Sequence, residues 1–460
     1  MSSYTDYIAR KLSTVPSTGI AEHVDLPASL FPHQRVLTAW AIKRGRAAIF
    51  ADTGLGKSRM QLAWADAVQR HTGKPVLILA PLAVAQQTVQ EAQSIGIEAV
   101  QQREHEAGAS IIVTNYERLH RFDPAAFGGV VLDESSCIKH HDTKTLRTLL
   151  DAFKFTQFKL CATATPAPND WTELGTHAEF LGVCTRQEML AEYFTHDGGD
   201  TSVWRLKGHA RHLFWRWVCQ WGALLRRPSD LGFDDKAYAL PPLHLHEHTV
   251  STEMPLNGML FSMDAQSLSE RRAARRMSIK DRVSECAERV NNDQQPWVVW
   301  CDLNDEGDAL RQAIPDAVEI RGSDDLETKE HRLAEFAAGR IRVLVTKPSI
   351  AGFGLNWQRC ARMAFVGVTD SFEAYYQAVR RCWRFGQTKD VHVHVFASSS
   401  EGAVVANLRR KERDAILMAE SLSAETRDAV MASVVGTTRH TNTYDAARRV
   451  AVPSFITEIA

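Results

Sequence analysis

The sequence predicts an α/β protein with two tandem parallel-sheet domains, a helical insertion between them and a helical C-terminal tail. Short apolar segments alternate with helix-patterned segments over residues 26–180 and again over residues 278–400. This alternation is typical of parallel strands joined by right-handed helical crossovers. Aromatic and basic residues interrupt the alternation over residues 181–277, and helical patterning resumes over residues 401–460. The first 25 residues are polar and predict a flexible N-terminus.

Composition excludes several classes of protein. A chain of 460 residues with 44% hydrophobic and 24% charged residues is ordinary for a soluble globular protein. No apolar run approaches about 18 residues, and no signal pattern opens the chain, so we expect a cytoplasmic location without a membrane partner. The eight cysteines form no Cys-x-x-Cys pair, which argues against zinc ribbons and disulfide frameworks. With a net charge of −1, any nucleic-acid binding must depend on local basic patches.

A glycine-rich stretch in the first domain predicts a phosphate-binding loop. Residues 51–58 read Ala-Asp-Thr-Gly-Leu-Gly-Lys-Ser, between an apolar strand pattern and a helix pattern. In such loops the backbone amides and the helix N-terminus surround the phosphates of ATP. The residues expected to contact nucleotide are Thr53, Gly54, Leu55, Gly56, Lys57 and Ser58. We expect Lys57 to neutralise the β- and γ-phosphates and Ser58 to bind Mg²⁺.

Upstream of this loop lies a second candidate for nucleotide contact. Gln34 follows Leu-Phe-Pro-His at the start of an amphipathic helix. Its amide could pair with the adenine edge through two hydrogen bonds. The alternative is a capped amphipathic helix without a role in binding.

Two acids end an apolar strand pattern farther along the first domain. Asp133 and Glu134 follow Gly129–Leu132, and ligands of parallel sheets sit at the carboxyl ends of the strands. Asp133 fits the role of holding Mg²⁺ and its waters, and Glu134 that of orienting and deprotonating the attacking water. The alternative is a solvated acid pair at a strand end.

The insertion carries features with two interpretations each. Its four tryptophans, at 204, 215, 217 and 221, favour packing over contact with nucleic acid. Alternating histidines at 244, 246 and 248 predict one face of a strand, and no cysteine or carboxylate is spaced to complete a metal site. Arginines at 271, 272, 275 and 276 predict either a solvated linker face or a phosphate-binding patch.

The second domain has no Gly-Lys-Ser of its own but carries an arginine-rich segment. On a helix, Gln377, Arg381 and Arg384 would stand at i, i+4 and i+7, on one face. Such a face can present two guanidinium groups to a phosphate bound by the other domain.

These motifs together resemble a superfamily-two helicase motor with two RecA-like domains, over residues 28–400. The loop is similar to the family pattern Ala-x-Thr-Gly-x-Gly-Lys-[Ser/Thr], which accounts for Ala51. Residues 133–136 resemble the Asp-Glu-x-x box, with Ser136 where Asp or His is usual, and residues 163–166 resemble the coupling motif Thr-Ala-Thr-Pro.

Within the superfamily the chain looks most like the Swi/Snf-type branch. The residues that carry this resemblance are Gly354-Leu355-Asn356 and the ending Arg381-x-x-Arg384-x-Gly386-Gln387. The Trp-Arg-Leu-Lys-Gly-His segment at 204–209 is similar to compact Swi/Snf-like helicases of phages and prophages.

The resemblance implies a DNA-stimulated ATPase that uses ATP and Mg²⁺ to move along duplex DNA. It implies catalytic roles for Lys57, Asp133, Glu134, Gln377, Arg381 and Arg384, and a nucleotide contact at Gly354. It also implies sequence-independent binding of duplex DNA by a monomer in the cytosol of a bacterium or a phage-infected host. A protein partner that directs the motor stays open.

Three other functions compete with this one. The first is a strand-separating DNA or RNA helicase, although the Gly-Gln ending weighs against RNA. The second is the motor subunit of a restriction-type complex whose nuclease is another chain. The third is a nucleotide-gated DNA clamp without catalysis, against which Glu134 and the two arginines count.

Overall fold

The computed structural model describes residues 15–81, 84–197, 200–250, 275–351, 356–367, 371–398 and 402–434. Within these segments it contains two parallel sheets, so the predicted α/β class with two sheet domains is confirmed. None of the helices in these segments is long and apolar enough to cross a membrane.

The first domain is built on strands that are buried on both faces. Its elements in chain order are α1 (Pro32–Arg44), β1 (Arg46–Ala51), α2 (Lys57–Thr72), β2 (Val76–Ala80), α3 (Ala85–Ser94), β3 (Val100–Gln101), β4 (Ile111–Asn115), β5 (Gly129–Asp133), α4 (Lys144–Ala152), β6 (Phe158–Thr163) and α5 (Leu174–Leu181). Every residue of β2, β4, β5 and β6 is buried, which is why these strands read as continuous apolar runs.

The insertion is not simply helical, which corrects the prediction for residues 181–277. Its elements are α6 (Arg186–Tyr193), β7 (Phe194–Asp197), β8 (Asp200–Leu206), α7 (Arg211–Val218), β9 (Gly222–Leu225) and β10 (Leu243–Val250). Strands β7 and β8 form an antiparallel hairpin, and β9 extends the first sheet to the order β3-β4-β2-β5-β6-β1-β9. A four-residue apolar run such as β9 does not differ in periodicity from the end of a buried helix.

The second domain repeats the alternation of strands and helices. Its elements are α8 (Ile279–Asn291), β11 (Trp297–Trp300), α9 (Asn304–Ala313), β12 (Ala317–Glu319), α10 (Leu326–Ala337), β13 (Val343–Thr346), α11 (Pro348–Ala351), β14 (Arg362–Phe365), α12 (Phe372–Val379) and β15 (Val391–Ser398). The parallel strand order is β10-β15-β14-β11-β13-β12, so the insertion contributes an edge strand to this sheet as well.

A long C-terminal helix, α13 (Gly402–Val434), returns from the second domain to pack on the first. The Leu224 amide of edge strand β9 donates to Thr426 Oγ1 at 3.2 Å, and His212 pairs with Glu425 at 3.0 Å. Covering an edge strand in this way satisfies a backbone donor that another chain could otherwise pair with.

The described part of the N-terminal segment is hydrogen-bonded to the end of α1. The amides of Thr18 and Ile20 donate to the carbonyls of Arg44 and Ile42, both at 3.1 Å. The last carbonyls of a helix have no partner within it, so α1 offers acceptors to the passing chain. These bonds attach the segment to the end of α1, while a flexible terminus over residues 1–25 stays a prediction, and residues 1–14 lie outside the described part.

The tryptophans and arginines of the insertion are mainly structural where they are described. Trp215 and Trp221 are buried, while Trp217 packs against Tyr193 and Trp204 against His196. Arg275 is buried and pairs with Asp302 at 2.6 Å, and Arg276 is exposed, whereas residues 271 and 272 lie outside the described segments.

Five histidines stack along the pairing of β10 with β15. In the parallel register His244 lies opposite His392 and His246 opposite His394. Two hydrogen bonds of 3.0 Å join ring nitrogens, one between His246 and His392 and one between His248 and His394. A cavity of about 600 Å³ lies beside them. No set of three or more His, Cys, Asp or Glu side chains in the described segments is placed to hold a metal ion.

The lowered pKa values of these histidines predict that the folded protein loses stability in acid. Burial, then the positive charge of neighbouring side chains including Arg289 and Arg362, lowers the pKa of His246 and His392 below the ordinary 6.5, and that of His394 to about 3. His248 is lowered too, although Glu285 opposes the shift. The unfolded chain therefore takes up more protons below about pH 6.5, so this stabilisation is present above that pH and is lost as the pH falls.

The measurement is the midpoint of urea unfolding between about pH 8 and about pH 5, a range that spans the ordinary histidine pKa. We expect the midpoint to fall with pH in the wild type and less steeply in His394→Gln, which keeps a polar group in the stack. An equally steep fall in the variant would contradict this prediction.

Candidate active site

The glycine-rich loop connects β1 to α2 at the carboxyl edge of the first sheet. Gly54 and Gly56 adopt φ values of +89° and +82°, in the left-handed region that favours glycine. A Cβ on Gly56 would lie 2.2 Å from Nε2 of Gln34, and a Cβ on Gly54 would lie 2.9 Å from Cβ of Phe385. The loop therefore has room for a side chain at neither glycine.

Lys57 is the first residue of α2, and its ammonium group is turned into the loop. Nζ donates to the carbonyl of Ala51 at 2.8 Å. Burial lowers the pKa of Lys57, and the carboxylates of Glu134, Asp52 and Asp133 oppose that shift. A buried cation at the start of a helix, close to several loop amides, suits the binding of phosphate.

Gln34 is buried against this loop. Its Nε2 donates to the carbonyl of Leu55 at 3.0 Å, and its Oε1 accepts from the amide of Phe31 at 3.0 Å. A glutamine amide has two N–H groups and two lone pairs on oxygen, so one of each stays available for a base edge. Gln34 thus supports the loop, and contact with adenine remains a prediction.

Asp133 ends β5 and is held from three sides. Its Oδ1 accepts from Nε2 of Gln61 at 2.7 Å and from the amide of Glu134 at 3.1 Å. Its backbone carbonyl accepts from the hydroxyl of Tyr116 at 2.7 Å. Burial raises the pKa of Asp133, and the bond from Gln61 and the charge of Lys57 oppose the rise.

Glu134 stands in a strained backbone conformation. Its φ is +50°, and no other non-glycine residue in the described segments has a positive φ. Such a conformation costs about 1–3 kcal/mol and is typical of functional sites. The hydroxyl of Thr163, which ends β6 and begins the Thr-Ala-Thr-Pro segment, donates to Glu134 Oε2 at 3.3 Å. Burial raises the pKa of Glu134 despite the charge of Lys57, which makes the carboxylate a better proton acceptor.

Two supporting residues carry no motif in the sequence. Gln61 orients Asp133, and His177 contacts Ser135 through Nε2 and Oγ at 3.1 Å. Burial lowers the pKa of His177 to about 4, so its ring is neutral at physiological pH. Both lie within helical patterns, where nothing distinguishes them from packing residues.

The arginine segment follows α12, and its geometry differs from the predicted helical face. The helix ends at Val379, so Arg381 and Arg384 lie in turns beyond it and not at i+4 and i+7 of one helix. Arg381 nevertheless contacts Gln377, with Nη2 donating to Oε1 at 2.9 Å and Nε donating to the carbonyl at 3.0 Å. The prediction of a single helix is wrong, because the helix ends at Val379 and the chain continues in turns and bends to Gly386, where φ is +89°.

The structure brings the arginines to the acid box and the loop. Burial lowers the pKa of Arg381 to about 10, and the charge of Glu134 opposes that shift. Burial likewise lowers the pKa of Arg384 to about 10, and the charge of Arg384 in turn lowers the pKa of Lys57. Both guanidinium groups stay charged at neutral pH, and Phe385, which follows Arg384, lies against Gly54 of the loop. Gly354 lies outside the described residues.

The donor set fits Mg²⁺. The ion prefers oxygen ligands, and Ser58 on α2 and Asp133 at the end of β5 offer a hydroxyl and a carboxylate at the same edge of the sheet. When bound, the ion would neutralise negative charge on the phosphates.

Comparisons with known proteins identify the class. Residues 31–174 match the DEAD/DEAH box helicase family, and residues 285–386 match the helicase conserved C-terminal domain. The chain is therefore a helicase-type, ATP-hydrolysing enzyme of superfamily two. No curated protein matches the sequence.

Solved structures show similar folds. The chain is similar to the SWI2/SNF2 ATPase core of Sulfolobus solfataricus in complex with dsDNA, with 17% identity over 90% of this chain and 98% of that chain, and a TM-score of 0.42. It is also similar to a fragment assigned to the HsdR subunit of a type I restriction enzyme from Vibrio vulnificus YJ016, with 15% identity over 81% of this chain and 64% of that chain, and a TM-score of 0.51. The second likeness concerns the fold alone.

Proposed function

We propose that the protein is a Swi/Snf-like translocase that couples ATP hydrolysis to movement along duplex DNA without separating its strands. The proposal includes the compact phage and prophage type within that branch. What supports it most is the contact between the arginine segment of the second domain and the glycine-rich loop of the first, in which Arg380 bonds to Asp52 and Phe385 lies against Gly54. The charges of the neighbouring Arg381 and Arg384 act on Glu134 and Lys57. A site shared by two domains can convert the state of the nucleotide into relative movement of the domains.

The proposed roles follow from the geometry of each group. Lys57 and the loop amides bind the phosphates, and Ser58 and Asp133 hold the metal. Glu134 orients and deprotonates the attacking water, with its carboxylate held by Thr163. Arg381 and Arg384 stabilise the charge that develops on the transferred phosphoryl group.

Two observations favour translocation over strand separation. The arginine segment ends in Gly386 and Gln387, the ending of the Swi/Snf-type motif, and Gln387 is buried with Nε2 donating to the carbonyls of Cys360 and Cys382 at 3.0 and 3.2 Å. The insertion's tryptophans at 204, 217 and 221, which are large enough to act as a wedge between strands, pack on neighbouring aromatic rings instead.

An ATPase assay with three activators tests the proposal. We expect duplex DNA to stimulate hydrolysis more than single-stranded DNA, and RNA to stimulate it least. Stimulation should decrease steeply with salt, because contacts to phosphates release counterions. Stimulation by RNA alone would favour the RNA helicase, and nucleotide binding without hydrolysis would favour the clamp.

A further inference from the structure

A second contact joins the two domains beside the arginine segment. Asp52 lies in the glycine-rich loop, directly after β1. Its carboxylate accepts hydrogen bonds from the hydroxyl of Tyr376 and from Nη2 of Arg380, both in the second domain. The side chains of Arg380 and Asp52 are 7% and 17% exposed, so this ion pair is largely shielded from water.

Each partner is also held by contacts within its own domain. The Asp52 amide donates to the carbonyl of Leu225 at 2.9 Å, and its Oδ1 accepts from the amide of Thr53 at 2.6 Å. The guanidinium group of Arg380 lies 4.5 Å from the centre of the Trp383 ring, and its Nε donates to the Tyr376 hydroxyl at 3.3 Å. Little conformational entropy is therefore left to lose when the contact forms.

The environment of the contact keeps the guanidinium group of Arg380 charged. Burial by itself lowers the pKa of Arg380, but the Asp52 carboxylate and the Tyr376 hydroxyl outweigh burial and raise that pKa overall. Arg380 consequently stays charged inside the interface. Without it, a buried carboxylate would be left without its cationic partner beside the loop that is expected to bind phosphate.

Arg380 and Arg381 are neighbours with different partners. Arg380 follows Tyr376 by four residues and contacts the loop, whereas Arg381 follows Gln377 by four residues and lies near Glu134. Because Arg380 and Arg381 are joined by a peptide bond, the contact of Arg380 with Asp52 limits the positions that the side chain of Arg381 can take.

We propose that Asp52, Tyr376 and Arg380 form a clasp that positions Arg381 and Arg384 over the phosphate site. This inference rests on the proposed function. Asp52 and Arg380 are positioning residues in this account, and they act on turnover through the neighbouring arginines. An error of about 1 Å in such positions can cost about 10²-fold in rate.

The test compares Asp52→Asn, Arg380→Gln and the double variant in the full-length chain. Asp52→Asn keeps an oxygen that can accept from the Thr53 amide, and Arg340→Gln is the control because it breaks an exposed ion pair with Glu335 within the second domain. We expect each single variant to lower kcat by about 10²-fold with little change in KM, the double variant to be no worse, and the control to match the wild type.

A purely electrostatic role gives a different pattern. If Asp52 and Arg380 acted only through their charge on the nucleotide, Asp52→Asn would lower the KM for ATP and Arg380→Gln would raise it. That opposite response, or additive losses in the double variant, would overturn the clasp. Tyr376→Phe removes one hydroxyl and keeps the ring, so it tests the same contact with the least disturbance of the fold.

Amide hydrogen exchange makes the test independent of activity. We expect faster exchange over residues 53–58 and 377–387 in Asp52→Asn and Arg380→Gln than in the wild type or Arg340→Gln. Unchanged exchange would overturn the clasp even if the wild type is a DNA-stimulated ATPase. A wild type without such activity, but with faster exchange in both variants, would instead reject the proposed function and keep the clasp.

Discussion

Replacing Glu134 by Gln is expected to abolish ATP turnover while leaving ATP binding nearly intact. The amide cannot accept the proton of the attacking water, yet it preserves the size of the side chain and can still accept the bond from Thr163. Asp133 and Lys57 are unchanged, so the groups expected to hold the metal and the phosphates remain. Nucleotide binding by fluorescence and single-turnover hydrolysis measure the two properties separately.

Lys57→Ala is the matched comparison, because it removes a phosphate-binding cation from the same loop. We expect it to weaken ATP binding itself, since the charge of the phosphates is left uncompensated. Near-normal turnover in Glu134→Gln would show that another group activates the water.

Replacing Arg381 or Arg384 by Ala is expected to lower DNA-stimulated turnover by about 10³-fold or more, the scale of arginine fingers. Arg381 is buried and Arg384 is half-buried, so solvent replaces their charges poorly. Lysine should rescue poorly, because a point charge lacks the planar fork that binds two oxygens at once. Steady-state ATPase rates at saturating duplex DNA measure the effect.

Arg340→Gln again serves as the control, since Arg340 is exposed on the same domain. Equal ATPase rates in the wild type and in both alanine variants would contradict a site shared between the two sheets.

The sequence predicts those parts of the fold that depend on local pattern. Strands β2, β4, β5 and β6 are continuous apolar runs because both faces are buried, and the alternation of apolar segments over residues 26–180 predicted strands of this kind. The sheet in which β9 and β10 pair was not predictable, because β10 pairs with a strand nearly 150 residues later and pairing partners leave no local pattern.

The residues of the candidate site likewise divide into those that the sequence identifies and those that it does not. Lys57 and Glu134 stand in motifs whose chemistry requires those residue types at that spacing, so they can be found in the sequence. Arg380 could not be found, because its partner Asp52 lies 328 residues away and each residue alone resembles an ordinary surface charge. The helical face predicted for Gln377 to Arg384 was wrong because a periodic pattern does not mark where a short helix ends.

Strand displacement by the wild-type protein tests the central claim most directly. Separating DNA strands costs about 1.4 kcal/mol of stacking per base-pair step, which a motor without a wedge cannot couple to ATP hydrolysis. With Glu134→Gln as the inactive control, we expect ATP-dependent release of a third strand from a triplex and a forked duplex that stays largely paired. Efficient unwinding of the fork without release of the third strand would contradict the account and favour a strand-separating helicase.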